Sequence, residues 1–148
     1  MTVERILILA NHSGGLYDFR RDLIAELKKH ANVTVAVPHN DRWEELHKLV
    51  DRVIELPVDR RGMNPLHDSK LFRQYRAMLK EIKPDQVITY TIKPNIYGTI
   101  AARLAGIPSV NNVSGLGTVF IVKNLVSKVA LGLYRFAFQF PKRVFFQN

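Results

Sequence analysis

Short apolar runs alternate with segments of helical period along this chain, and no other feature constrains the fold as much. Ile6-Leu7-Ile8-Leu9-Ala10 is unbroken by any polar residue and ends in Asn11-His12-Ser13-Gly14-Gly15. A run without polar alternation reads as a strand buried on both faces, which is the mark of a parallel sheet. Over 17–30, Phe19, Leu23, Ile24 and Leu27 recur at helical spacing, opposite Arg20, Arg21, Glu26 and Lys28. A second strand at 33–37 stops at Pro38, a short helix covers 42–50, and a third strand at 53–56 stops at Pro57.

The second half repeats the alternation. A basic loop over 58–67 holds Arg60, Arg61, Gly62 and Pro65. Leu71, Tyr75, Met78, Leu79 and Ile82 then mark a helix that Asp68 or Ser69 can cap. Strand Gln86–Tyr90 follows Pro84. Ile96, Ile100, Ala101, Leu104 and Ala105 form the next helical face, closed by Gly106 with Pro108 beyond. Ser109–Val113 is a fifth strand, and a Gly-rich loop leads into an apolar helix over 124–140. Arg143–Phe146 is the sixth strand, with no closing helix after it, an ending that reads as a cut.

Strands separated by helices predict an α/β fold, a Rossmann-like doubly wound parallel sheet of about six strands with right-handed crossovers. In that order the ligand crevice opens at the C-terminal ends of strands one and four. At 148 residues, 47% hydrophobic and 24% charged, the chain is long and apolar enough for one domain with a real core. The absence of cysteine excludes disulfides, thiolate zinc sites, iron–sulfur clusters and cysteine nucleophiles. No signal-peptide pattern opens the chain, so a cytoplasmic location is expected. The uncharged stretch 104–122 nears spanning length, but Pro108, Asn111, Asn112, Ser114 and three glycines argue against a membrane helix.

Lys+Arg 22 against Asp+Glu 13 gives +9, which raises the question of nucleic acid. The basic residues are spread along the chain without a helix-turn-helix, zinc-finger or aromatic–basic RNA motif, so no nucleic-acid partner is expected. The five histidines show no metal-ligand spacing, and no metal or other cofactor is expected.

Three clusters fall where the crevice should open. In the loop 11–15, Gly14 and Gly15 let backbone approach a ligand, and the next helix N-terminus aims free N–H groups at it, an arrangement suited to a diphosphate. His12 lies there as a ligand contact or a base. It is neither a G-x-G-x-x-G fingerprint nor a G-x-x-x-x-G-K loop. At the end of strand four, Lys93 can neutralise a phosphate, while Asn95 can bind a sugar hydroxyl or, more simply, cap the following helix. At the end of strand five, Asn111-Asn112-Val113-Ser114-Gly115-Leu116-Gly117-Thr118 offers the amides and hydroxyls that a carbohydrate site needs. The helix over 124–140 carries a broad apolar face (Leu125, Val129, Leu133, Phe136, Ala137) punctuated by Lys128 and Arg135. Packing on the sheet is its expected main role, with contact to an anionic membrane surface in addition.

Taken in order, L-I-L-A-N-H-S-G-G-L-Y-D-F-R-R (7–21), T-Y-T-I-K-P-N-I-Y-G (89–98), N-N-V-S-G-L-G (111–117) and V-F-F-Q-N (144–148) resemble the N-terminal domain of bacterial retaining glycosyltransferases of the two-Rossmann-domain (GT-B) architecture. The likeness is to the family 4-like enzymes that build capsular, O-antigen or lipid-linked oligosaccharides. It covers 1–148 and implies an acceptor-side domain whose C-terminal donor-binding partner domain is absent here. It further implies a nucleotide-sugar donor, a polyprenyl-diphosphate-linked saccharide acceptor, no metal, and a peripheral position on the inner face of the cell membrane. By the same resemblance Gly14 and Gly15 approach the donor diphosphate. Lys93, Asn95, Asn112, Arg60 and Arg61 serve the acceptor. Ser114, at the register where many relatives carry histidine, and His12 are the candidates for polar catalytic help. The alternative is a non-catalytic acceptor-binding or membrane-anchoring subunit completed by a separate donor-binding chain.

Overall fold

The computed structural model describes residues 3–59, 64–113 and 125–146. Its elements run β1 (Arg5–Leu9), α1 (Ser13–Lys28), β2 (Asn32–Val37), α2 (Trp43–Leu49), β3 (Arg52–Glu55), α3 (Pro65–Ile82), β4 (Gln86–Tyr90), a π-helical turn (Pro94–Gly98) continuing into α4 (Thr99–Leu104), β5 (Ser109–Val113), α5 (Leu125–Ala137) and β6 (Arg143–Phe146). The six strands form one sheet in the order β3-β2-β1-β4-β5-β6, every pair parallel. This is the doubly wound order expected from the alternation, and its switch point lies between β1 and β4.

Each face of the sheet has its own core. Ile6, Ile8, Val33, Val35, Val37 and Ile88 pack under Leu16 and Ile24 of α1 and Leu46 of α2. Leu7, Leu9, Ala36 and Val87 pack under Leu71, Tyr75, Met78 and Leu79 of α3 and Ala101 and Ala102 of α4. Odd and even residues of β1 therefore serve opposite cores, which is why that strand reads as a continuous apolar run. At the other end of the sheet, Asp85 Oδ2 accepts the Glu4 and Arg5 N–H groups, each at 2.8 Å, and fixes the entry to β1.

Two helix starts differ from expectation. Helix α1 begins at Ser13, so Gly14 and Gly15 sit in its first turn rather than in a loop. Helix α3 begins at Pro65 with Asn64 as its cap, Oδ1 accepting the Leu66 N–H at 2.9 Å. Asp68 and Ser69 are thus inside α3, and neither caps it. Proline at the first helical position and asparagine before it is a favoured pairing, hidden within the basic loop. Gly106 does close α4, with φ at 72°.

Helix α5 docks through Tyr134 and Ala137, which pack with Ile96 and, more peripherally, Ile92, Tyr97, Ile100, Leu133 and Phe138. The expected single apolar face is therefore split. Leu133 and Ala137 turn inward, while Leu125 (76% exposed), Val129 and Phe136 turn out beside the exposed Lys128 and Arg135. Among the described residues, no helix is long and apolar enough to cross a membrane.

Candidate functional site

The crevice begins at the N-terminus of α1. His12 is the N-cap, and its Nδ1 accepts the Gly15 N–H at 3.0 Å. A ring nitrogen that accepts is unprotonated, so in the neutral imidazole the proton sits on Nε2. The Gly15 donor is consequently occupied by the chain itself. Ser13 and Gly14 contribute the first-turn N–H groups that helix geometry leaves without an intrahelical acceptor. Ser13, which sequence reading did not single out, is fully buried and fastens the β2–α2 connection to this turn. Its Oγ donates to Asp41 O at 2.8 Å and accepts the Asn40 N–H at 2.9 Å. A Cβ at Gly14 would lie 3.0 Å from Asp41 Cβ, a tight contact that favours glycine there. At Gly15 the nearest atom would be 3.8 Å away, which is ordinary contact.

The end of β4 carries the most constrained backbone of the crevice. Thr91 holds φ at 74°, a left-handed conformation that a β-branched residue rarely adopts, and its hydroxyl donates to the Tyr90 carbonyl. The chain then enters the π-helical turn Pro94–Gly98, a wide turn found frequently at functional sites. Gly98 is where that turn presses on the sheet, since a Cβ there would lie 2.6 Å from Leu9 Cδ1.

Lys93 is only 6% exposed, and its Nζ lies 2.7 Å from Asp68 Oδ1 of α3. The Tyr97 hydroxyl donates to Asp68 Oδ2 at 2.9 Å. Burial, then the hydrogen bond and charge of Asp68, push the Tyr97 phenol well above its ordinary range. Instead of an open cation awaiting a phosphate, Lys93 is a buried ion pair that ties the crevice wall to the start of α3. Sequence reading missed Asp68 as its partner because a pair separated by a strand and a helix leaves no local pattern.

Asn95 is fully buried and does not cap a helix. Its Nδ2 donates to the Asn112 carbonyl at 2.9 Å and to the Tyr134 hydroxyl of α5 at 3.1 Å, and its Oδ1 lies 2.6 Å from Thr89 Oγ1. Thr89 Oγ1 and Thr99 Oγ1 each lie 2.9 Å from the side-chain amide of Asn111, and Asn112 Nδ2 donates to the Thr89 carbonyl at 3.3 Å. Thr89 has one hydroxyl hydrogen, which its shorter contact to Asn95 takes. The Asn111 amide is best satisfied with Nδ2 turned toward both hydroxyls, which also employs the otherwise unpartnered Nδ2. Six side chains and two strand carbonyls thus lock β4, β5, the π-turn, α4 and α5 together at the crevice floor.

The structure brings His12, Gly14 and Gly15 together at one helix start, and Asn95 and Asn112 together in the polar floor. Lys93 joins α3 instead. Ser114, Arg60 and Arg61 lie outside the described residues, as does the rest of the Gly-rich loop.

A parallel sheet in this order, with a polar floor beside its switch point at the ends of β4 and β5, defines a Rossmann-like crevice domain. The profile described as "Glycosyl transferase 4-like" matches residues 5–148, and the chain belongs to that family. It is 32% identical over 150 residues to the N,N'-diacetylbacillosaminyl-diphospho-undecaprenol alpha-1,3-N-acetylgalactosaminyltransferase of Campylobacter jejuni, covering 97% of this chain and 40% of that protein. The chain therefore spans about two fifths of that relative's length. Among solved structures, it is similar to a UDP-N-acetylglucosamine 2-epimerase (19% identity, TM-score 0.69, 97% of this chain and 42% of that one). It is also similar to Acinetobacter baumannii MurG (16% identity, TM-score 0.64, 95% and 40%). At those identities the likeness is one of fold.

Proposed function

We propose that this chain is the acceptor-side domain of a glycosyltransferase that moves a sugar from a nucleotide-sugar, of the UDP-sugar class, to a polyprenyl-diphosphate-linked or other membrane-associated saccharide. The observation that carries the reading is the family match over 5–148, read together with the lipid-linked substrate and the sugar named for the 32% identical relative. That relative's α linkage also supports retention, because UDP-hexosamine donors carry the sugar in α linkage.

Roles of the described residues follow their geometry, and those of Arg60, Arg61 and Ser114 follow the family resemblance. The positive end of the α1 dipole stabilises a departing diphosphate, with His12 holding its first turn in shape. Asn95 and Asn112 keep the crevice floor rigid, and Lys93 acts from its ion pair by fixing the wall. The Arg60–Arg61 loop draws in the acceptor's diphosphate, and Ser114 offers polar help at the reacting sugar. A donor-binding second domain completes the cleft, so the 148 residues alone have no transferase activity. The chemistry calls for no metal. The outward Leu125, Val129 and Phe136 of α5, flanked by Lys128 and Arg135, seat the enzyme on the anionic inner face of the cell membrane.

The test is transfer by the full-length protein from radiolabelled UDP-N-acetylhexosamines to lipid-linked saccharides extracted from its own membranes. An α-linked, lipid-borne product is expected. A β-linked product overturns retention, and the absence of transfer from every UDP-sugar overturns the donor class.

A further inference from the structure

We infer that Arg20, seated on the ring of Tyr90, is a phosphate-binding residue on the α1 side of the β4–β5 strand ends. Its guanidinium carbon lies 5.2 Å from the Tyr90 ring centroid. Arg20 is half-buried, and among the described residues it has neither a carboxylate nor a carbonyl partner. The neighbouring acid Asp18 is already committed to Arg42 at 3.3 Å. A guanidinium has five donors in a planar fork suited to phosphate, and here a cation–π contact holds that fork in place with its donors unspent.

The position is right for a crevice ligand. Helical side chains lean toward the helix N-terminus, so Arg20 reaches from the second turn of α1 toward the C-terminal edge of the sheet. Tyr90 is the last residue of β4, packs in the α1-side core, and is in register with Asn112 of β5. Arg20, Tyr90 and Asn112 thus form a cation, a platform and an amide along one edge.

A second observation points the same way. Tyr90 is 6% exposed, and its hydroxyl has no partner among the described residues. An unpaired buried hydroxyl is costly, and a phosphate oxygen on Arg20 would supply its missing acceptor. Arg21 makes a useful contrast, because its guanidinium sits 5.7 Å from the ring of the half-buried Tyr17 on its own helix. Which phosphate Arg20 holds rests on the transferase reading; that it holds one does not.

Calorimetric titration of the full-length protein at low salt tests this with two probes, UDP and geranyl diphosphate. Arg20→Gln should weaken one of them about tenfold, and Arg20→Lys should recover part of the loss. A loss confined to UDP assigns the donor's phosphate, and a loss confined to geranyl diphosphate assigns the acceptor's. Tyr90→Phe should weaken the same probe while raising the melting temperature, because it deletes the unpaired hydroxyl. Unchanged affinity for both probes in Arg20→Gln, or no binding of either by the wild-type chain, overturns the assignment. Transfer activity plays no part in the readout, so failure of the transferase reading would be seen separately.

Discussion

The sheet ends in two different materials on either side of its switch point. Beyond β1 and β2 it closes with hydrocarbon, in Leu9, Ala10, Ala36 and Val37, all buried. Beyond β4 and β5 it closes with Thr89, Asn95, Asn111 and Asn112, equally buried but hydrogen-bonded. Hydrocarbon contacts are non-directional and tolerate small shifts, whereas amides and hydroxyls work only at set angles and distances. The first half therefore supplies stability, and the second supplies shape, where the ligand must be held. Buried polar closure is stable only when every partner is present.

The sharpest way to break that comparison is Lys93→Met, which leaves Asp68 buried with Tyr97 as its only donor among the described residues. Stability should fall by about 3–5 kcal/mol in a urea titration, and adding Asp68→Leu should restore most of it. If the double variant stays as unstable as the single one, the pair is not an isolated unit. Next in size, Asn95→Leu should cost about 2 kcal/mol, since the Thr89 hydroxyl and the Asn112 carbonyl both lose a partner. Its amide-exchange signature should appear in β5 and α5 while β2 and β3 keep their protection.

The helix and strand pattern of this chain is legible because it is local: apolar runs make parallel strands, and helical periods make covering helices. The order of the sheet follows from that alternation and the chirality of crossovers. Sequence alone sets the start of α1 too late, because Ser13-Gly14-Gly15 is turn chemistry by composition, and only the approach of Asp41 shows why glycine belongs in a helix there. The floor of the crevice was legible as residue types but not as bonds. Asn95 and Tyr134 are far apart in sequence, and nothing local in either announces the other.

Smaller effects sharpen the contrast from the hydrocarbon side. Tyr75 of α3 is fully buried against the sheet, and its hydroxyl has no partner among the described residues. Tyr75→Phe should therefore stabilise the chain by about 1 kcal/mol in the same titration, with no change in affinity for phosphate probes, unlike Tyr90→Phe. The smallest effect belongs to Asp85, whose carboxyl is held below its ordinary value by the Glu4 and Arg5 N–H groups. Its contribution is complete above the ordinary aspartate pKa and is lost as pH falls past it through the lower folded value. Asp85→Asn should thus lower stability near neutrality slightly and flatten the acid limb of the stability–pH curve below about pH 4.

The wide turn at Pro94–Gly98 makes this stretch sensitive to length rather than to composition. A π-turn holds one more residue than an α-turn, and deleting one would let the helix relax into ordinary pitch. Everything on one side of the deletion would then swing by about 100° about the axis, and Lys93 and Asn95 would no longer face α3 and β5 together. Homologous chains should accept insertions in the connections around β3 far more readily than any change in the number of residues between Tyr90 and Gly98, because here the count itself sets the geometry.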